Sequence, residues 1–343
     1  MTAHAPCARR RRICVAILQM AACALPLYAG RAAGQEPPLV LEATIPLDGV
    51  SGRIDHMAFD PGRGRLLVAE LGNGAVEVID LVARRVLHRI AGLKEPQGIG
   101  FAAAADAVVV ASAGDGTVRF YRADDYSPAG RIDLGDDADN VRIDPHTGRV
   151  IVGYGSGGLA IIDPTSRTKI GEVRLPVHPE GFQLAPDGGK AFVNLPNARQ
   201  IAVVDLVAGR QIATWRLADA RANFPMAIDR TGRLVASVAR RPPRLLLFDA
   251  GRGALSAQLE TCGDADDVFF DAKRDRIYLS CGAGAVDVFE RKDGRFAHRA
   301  RIETDSGART ALFVPELDRL FVAARAGTLG GQARILMFRP APH

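Results

Sequence analysis

Aromatic side chains are scarce in this 343-residue chain, at 6%, with Trp215 the single tryptophan. Lysine is scarcer, five residues against 39 arginines, and the arginines are scattered along the whole length rather than gathered on one segment. Cysteine is also sparse: of five, Cys7, Cys14 and Cys23 lie close to the N-terminus, leaving Cys262 and Cys281. No Cys-x-x-Cys-His run occurs, which argues against covalently attached haem. No Gly-x-Ser-x-Gly elbow, Walker loop or dinucleotide fingerprint occurs either, so a serine-hydrolase elbow and a nucleotide cofactor both lack their usual signature. A membrane span needs about 20 apolar residues; the best candidate, residues 13–29, is shorter and is interrupted by Gln19 and Pro26.

That stretch has another reading. Arg9 to Arg12 precede it, and Gly30, Arg31, Ala32 and Ala33 follow. A basic start, an apolar middle and a small-residue end make a secretory signal peptide over 1–33, leaving 34–343 as a mature chain that is periplasmic or secreted. Arg10-Arg11-Arg12-Ile13 loosely fits a twin-arginine variant of such a signal, and Met20-Ala21-Ala22-Cys23 loosely fits a lipoprotein cleavage site. The leader carries five arginines and no acid. Removing those five from the 44 Lys and Arg leaves 39, against 39 Asp and Glu, so the formal charge of +5 disappears on processing. A nucleic-acid partner would call for a basic surplus, and the densest mature cluster is only Arg240, Arg241 and Arg244.

What the mature chain does have is a repeat. Apolar anchors at Phe59, Phe101, Ile143, Leu184, Ile228, Phe270 and Phe313 are spaced by 42, 42, 41, 44, 42 and 43 residues. Several short strands per period of about 40 predict a β-propeller, here all-β with seven four-stranded blades. In the first unit the strands are predicted over 57–60, 65–70, 75–80 and 85–91. Pro61-Gly62 closes the first pair, and Gly72-Asn73-Gly74 suggests a two-residue Asn-Gly hairpin, with Asp115-Gly116 as its counterpart in the second unit. Inner strands such as 66–69, 108–111 and 150–152 are apolar throughout, as expected of sheets covered on both faces. The seventh unit has strands near 311–314, 319–324 and 333–338 but no fourth. Residues 39–47, ahead of the first anchor, would supply it and close the ring without an exposed edge. One ring then accounts for the mature chain, and a monomer is the default.

Cys262 falls in the loop entering the sixth blade and Cys281 at the end of its second strand, on one face of the ring. A disulfide between them is sterically allowed and would suit an oxidising compartment; Cys281 would equally serve as a small buried side chain.

The loops entering the innermost strands surround the mouth of the channel. Four residues before each anchor stand Asp55, Gln97, Asp139, Glu180, Phe224, Asp266 and Arg309; six of these seven are polar. Nearby offsets add Arg53, Glu95, Asp137, His178, Asp264, His56, Asn140, Asp267 and Thr310. Two residues beyond the ring the pattern turns apolar in all units: Met57, Ile99, Val141, Phe182, Met226, Val268 and Ala311. Glu95, Asp139, Asn140, Glu180 and Asp266 are candidate oxygen ligands for a divalent cation such as Ca²⁺, Mg²⁺ or Mn²⁺, and a histidine would favour Zn²⁺. His56 and His178 are candidate ligands or general bases, and Arg309 a candidate holder of a substrate anion. Asp55, Gln97, Asp137, Asn223, Asp267 and Thr310 complete the candidate ligand-binding set. The plain alternative is that Asp and Asn before a strand only cap turns. The runs 135–140 and 263–267 resemble one another but lack the glycine and terminal glutamate of an EF-hand loop.

The blade units Gly74-Ala75-Val76-Glu77-Val78-Ile79-Asp80 and Gln200-Ile201-Ala202-Val203-Val204-Asp205, with Ala191-Phe192-Val193-Asn194 approximating a Tyr-Val-Thr-Asn tetrad, resemble the YVTN-type (YncE-like) seven-bladed propellers. The resemblance covers 39–343. It implies a propeller fold and export but transfers no catalytic residue, and a single tryptophan argues against WD40 and quinone-dependent dehydrogenase propellers. Three readings follow: a propeller binding a small ligand or metal at its acidic mouth, a metal-dependent lactonase or lyase, and an interaction scaffold for another periplasmic protein.

Overall fold

Many of the blade strands end on an aspartate that itself turns the chain. Asp60 Oδ1 accepts the backbone N–H groups of Gly62 and Arg63 at 2.9 and 3.2 Å, and Asp80 Oδ1 accepts those of Val82 and Ala83 at 2.9 and 2.8 Å. The same turn recurs at Asp163, Asp205 and Asp249. These local bonds satisfy the backbone where the ladder stops and explain why aspartate punctuates the repeat.

The computed structural model describes residues 36–327 and 331–342; the leader predicted over 1–33 lies outside the described residues. From Pro37 onward the chain forms one compact unit. It contains seven four-stranded antiparallel sheets. Blade one comprises Met57–Asp60, Arg65–Glu70, Ala75–Asp80 and Arg85–Ala91, the bounds that the sequence predicts. Blade seven comprises Thr310–Val314, Arg319–Ala324 and Arg334–Pro340, completed by Leu39–Pro46, which pairs antiparallel with Arg334–Pro340 from Leu39 opposite Pro340 to Pro46 opposite Arg334. The innermost strands contact one another in sequence order, and Met57–Asp60 meets Thr310–Val314, so the ring is closed. The fold is therefore a seven-bladed β-propeller. Among the described residues no helix is long and apolar enough to cross a membrane.

The buried apolar side chains fall into seven clusters, each shared by two neighbouring blades. Blades one and two, for example, share Leu67, Val76, Val78, Val108, Val110 and Tyr121. Trp215 serves the blade four–five interface, stacked 5.6 Å from Phe248 and tilted 5.1 Å from Phe192. Because two sheets must cover each apolar face, a blade has no complete core of its own. The terminal strands gain a further clasp. Arg276, fully buried in blade six, pairs with Glu290 at 2.7 Å and donates to the carbonyls of Ala341, Pro38 and Pro342.

One expected turn differs. Gly72-Asn73-Gly74 is not a two-residue hairpin: Leu71–Asn73 form a 3₁₀ turn, Gly74 takes the left-handed conformation at φ 59°, and Glu70 pairs with Ala75. Asn73 acts elsewhere, its Oδ1 accepting from Ser51 N and its Nδ2 donating to Gly49 O, which pins the loop to the chain entering blade one. Asp115-Gly116 follows suit, with Ala113–Asp115 in a 3₁₀ turn and Gly116 left-handed.

Candidate functional site

The innermost strands do not start straight. In blade three the register shifts between Ala138 and Val141, in blade two between Pro96 and Ile99, in blade five between Asn223 and Met226, and in blade six between Ala265 and Asp267. Such bulges re-aim the extra residue, and the residues so displaced are Asp139, Gln97, Phe224 and Asp266. Two positions earlier the backbone is left-handed at Glu95, Asp137, Ala222, Asp264 and Gly307, with φ between 38° and 85°. The left-handed turn brings the chain in and the bulge tips one side chain over the channel. All seven residues of the predicted ring line one cavity of about 270 Å³.

Close backbone packing around the channel demands glycine just after the ring position in two blades. A Cβ on Gly98 would lie 1.8 Å from the Asp139 carbonyl oxygen, and one on Gly181 would lie 2.3 Å from that of Phe224. Gly181 N instead donates to Phe224 O at 3.1 Å.

His56, Asp137, Asn140, His178 and Asp267 join the ring around the cavity, with Arg53, Arg142, Gln183 and Arg240. Glu95, Asn223 and Thr310, grouped with these from sequence, do not line it. Glu95 is exposed to solvent instead. Asn223 is buried and its Nδ2 is used by Asn194 Oδ1 at 2.8 Å and Gln200 O at 3.2 Å. Thr310 Oγ1 donates to Ile54 O at 3.0 Å, holding blade seven to blade one. Polar character also extends deeper than the sequence suggests. Met57, Ile99, Val141, Phe182, Met226, Val268 and Ala311 are indeed buried, but Arg142 and Gln183, one residue further along their strands, line the cavity.

Three arginines are tied to carboxylates. Arg53 lies 2.7 Å from Asp55; Arg240 contacts Asp266 and, at 3.3 Å, Asp264; Arg309 lies 3.0 Å from both Asp264 and Asp266. Arg240 also stacks over Phe224 at 4.1 Å, which gives the one apolar member of the ring a role. Arg142 is different: its Nη1 donates to Val141 O at 2.8 Å and its guanidinium lies 5.5 Å from the Phe182 ring centre. His178 Nδ1 donates to Gly155 O at 2.6 Å and lies 3.5 Å from Asp137. Asp267 accepts from Ala311 N at 2.8 Å.

Six carboxylates around one small cavity cannot all ionise cheaply. Burial pushes Asp139 well above the usual carboxylate range, and Asp55, Glu180 and Asp137 add to the shift. Burial and the adjacent Asp266 do the same to Asp267. Asp266 and Asp55 are raised by burial in spite of their arginines. Glu180 is pushed up to about 7, chiefly by burial. Burial, followed by the charge of Arg142, lowers His56 to about 4, so its imidazole is neutral at pH 7. Three acceptors of the lining remain without hydrogen-bond partners although almost wholly buried: Asp55 Oδ2, which is ion-paired to Arg53, and Asp139 Oδ1 and Asn140 Oδ1, on residues 6% and 3% exposed, which have no ion pair at that atom shorter than 3.9 Å.

Among the described residues no group of three or more His, Cys, Asp or Glu side chains stands in a geometry able to hold a metal ion. Of the five candidate ligands, Glu95 is outside the cavity and Asp266 is occupied by two arginines. In blade six, just outside the cavity lining, the Cys262 and Cys281 sulfurs are bonded, with Cα atoms 5.9 Å apart.

No protein-family model and no curated protein matches the sequence. Solved structures do. Hydrazine synthase from Kuenenia stuttgartiensis superposes with a TM-score of 0.75 at 14% identity, covering 87% of this chain and 99% of that one. A chain of the mitotic checkpoint complex superposes with a TM-score of 0.75 at 12% identity, covering 97% and 99%. At such identities the likeness establishes the propeller fold and carries nothing about activity.

Proposed function

We propose that this chain is an exported propeller of the YVTN type whose channel mouth binds a small polar ligand rich in hydrogen-bond donors. The observation that carries this is the pair of unpartnered acceptors, Asp139 Oδ1 and Asn140 Oδ1, buried in a carboxylate-lined cavity. A buried acceptor without a donor costs about 1–3 kcal/mol, which a ligand supplying that donor recovers. The volume of about 270 Å³ lies near the small end of ligand pockets, typically ~300–1,000 Å³, so the ligand is of metabolite size.

A divalent cation, and the metal-dependent lactonase or lyase that would use one, has weaker support, because Asp266 is already held by two arginines and no three of the described acids and histidines converge on one point. Export is supported by the 1–33 signal and by a bonded cysteine pair, which suits an oxidising compartment.

Thermal melting against polyols, sugars, amines, amino acids and the chlorides of Ca²⁺, Mg²⁺, Mn²⁺ and Zn²⁺ tests the reading. A ligand at one hundred times its Kd stabilises by about 2.7 kcal/mol. An organic ligand that raises the melting temperature of the wild type but not of Asp139→Asn would support it; a response to none of the organic ligands would refute it. Cell fractionation and the mass of the mature N-terminus test export.

A further inference from the structure

The charges of the mouth are unevenly spent. Arg53, Arg240 and Arg309 are each within 4.0 Å of a carboxylate. Arg142 is within that distance of none among the described residues, and its hydrogen bond to Val141 O uses only one of its five N–H donors. It lines the cavity on the strand Ala138–Ile143, the same strand that carries Asp139 and Asn140. The cavity therefore holds two unmet demands at once: an arginine with no carboxylate in contact, Asp267 and Asp139 acting on it only from beyond ion-pair distance, and buried acceptors without donors.

We infer that the mouth takes a small zwitterion, its cationic nitrogen donating to Asp139 and Asn140 and its anionic group received by Arg142. This deepens the ligand-binding reading above and rests on it. A simple amine would satisfy Asp139 and leave the arginine unpaired; a simple anion would pair with Arg142 but face six carboxylates. A neutral polyol would supply donors yet bring no charge to Arg142. Only a molecule carrying both signs answers both demands. The raised carboxylates fit this picture, since an ammonium group beside Asp139 and Glu180 favours their ionised forms.

Calorimetric titration of the full chain tests the inference with five probes: glycine, β-alanine and 4-aminobutyrate, whose charges are progressively further apart, propylamine with a cation alone, and propionate with an anion alone. At least one zwitterion should bind about tenfold or more tightly than either single-charge probe. Arg142→Met should bring that zwitterion down to the level of propylamine while leaving propylamine itself unchanged. Asp139→Asn should bring it down to the level of propionate. Propylamine binding as tightly as every zwitterion, or an unchanged zwitterion affinity in Arg142→Met and Arg142→Gln, would overturn the inference. Should the arginine variants not fold, the comparison of the five probes on the wild type decides alone. If sugars or polyols bind and zwitterions do not, the inference fails and the mouth reading survives; if no small molecule of any class binds, both fail.

Discussion

Asp139 Oδ1 faces His56 Nε2 across the channel mouth at 3.9 Å without a hydrogen bond between them. Burial drives the carboxyl up and the imidazole down to about 4, so each group is shifted toward its uncharged form. Asp139→Asn keeps the shape of the neutral acid. A carboxyl whose folded pKa lies above its unfolded value of about 3.9 contributes stability at low pH and loses it as the pH climbs. The variant should thus match the wild type at low pH and become the more stable of the two as the pH rises toward 8. Urea denaturation at both ends of that range measures this. A variant less stable at pH 8 would show that the ionised carboxylate is structurally needed.

Glu180 sits at about 7, so its charge changes within the physiological range. If the ligand brings a cation, affinity for propylamine should rise about tenfold between pH 6 and pH 8, as the ionised fraction grows. Glu180→Gln should flatten that profile and leave the melting temperature within a few degrees. A pH slope that persists in the variant would place the titration on another group.

In blade one, outside the cavity lining, Glu70 and Glu77 share Arg89, which lies 3.3 Å from Glu70 and 2.6 Å from Glu77. Both Glu70 oxygens lack hydrogen bonds, and burial followed by the charge of Glu77 raises Glu70 to about 8. Its folded pKa again exceeds the unfolded one, so stability declines from about pH 4.5 to pH 8 and then levels off. Glu70→Gln should therefore stabilise the chain at pH 9 by roughly 1–3 kcal/mol and hardly at all at pH 4. A melting-temperature series across that range would show whether the gain grows with pH; a gain independent of pH would point to packing instead.

The Cys262–Cys281 bond spans a separation of 19 residues. Loops of that size are worth about 3 kcal/mol through the unfolded chain. The double substitution to serine should cost something near that in a chemical melt. Alkylation after unfolding without reductant, read by peptide mass, should leave both cysteines unlabelled in protein from an oxidising compartment.

The ring architecture was open to reading because each blade must spell out its own strands: the apolar run at 66–69 and the Asp-ended turns at Asp80 and Asp205 are local chemistry. The mouth was half open to reading. One offset from each anchor finds Asp55, Gln97, Asp139, Glu180, Phe224, Asp266 and Arg309, since every blade brings its innermost strand in at the same level, four of them through the same bulge. It does not find Arg240, which sits at the far end of Leu234–Arg241 and reaches Asp266 only by laying its long side chain across Phe224. Nor does it find Arg142, whose position is polar in only one other blade, as Gln183. Asn223 and Thr310 mislead in the opposite direction, because a polar side chain at the right level can be consumed by backbone carbonyls.

The pairing of Leu39 with Pro340 joins positions some 300 residues apart. Bringing such distant points together costs an unfolded chain about 5 kcal/mol in closure entropy, by the (3/2)RT ln n rule. The earliest strand must therefore wait, unpaired, for the last one made. Blade six is complete by then, and its Arg276 stands ready to receive the carbonyls of Pro38 and Ala341 together. Assembly of this ring is thus a race between two late-meeting ends and any foreign strand that finds one of them first.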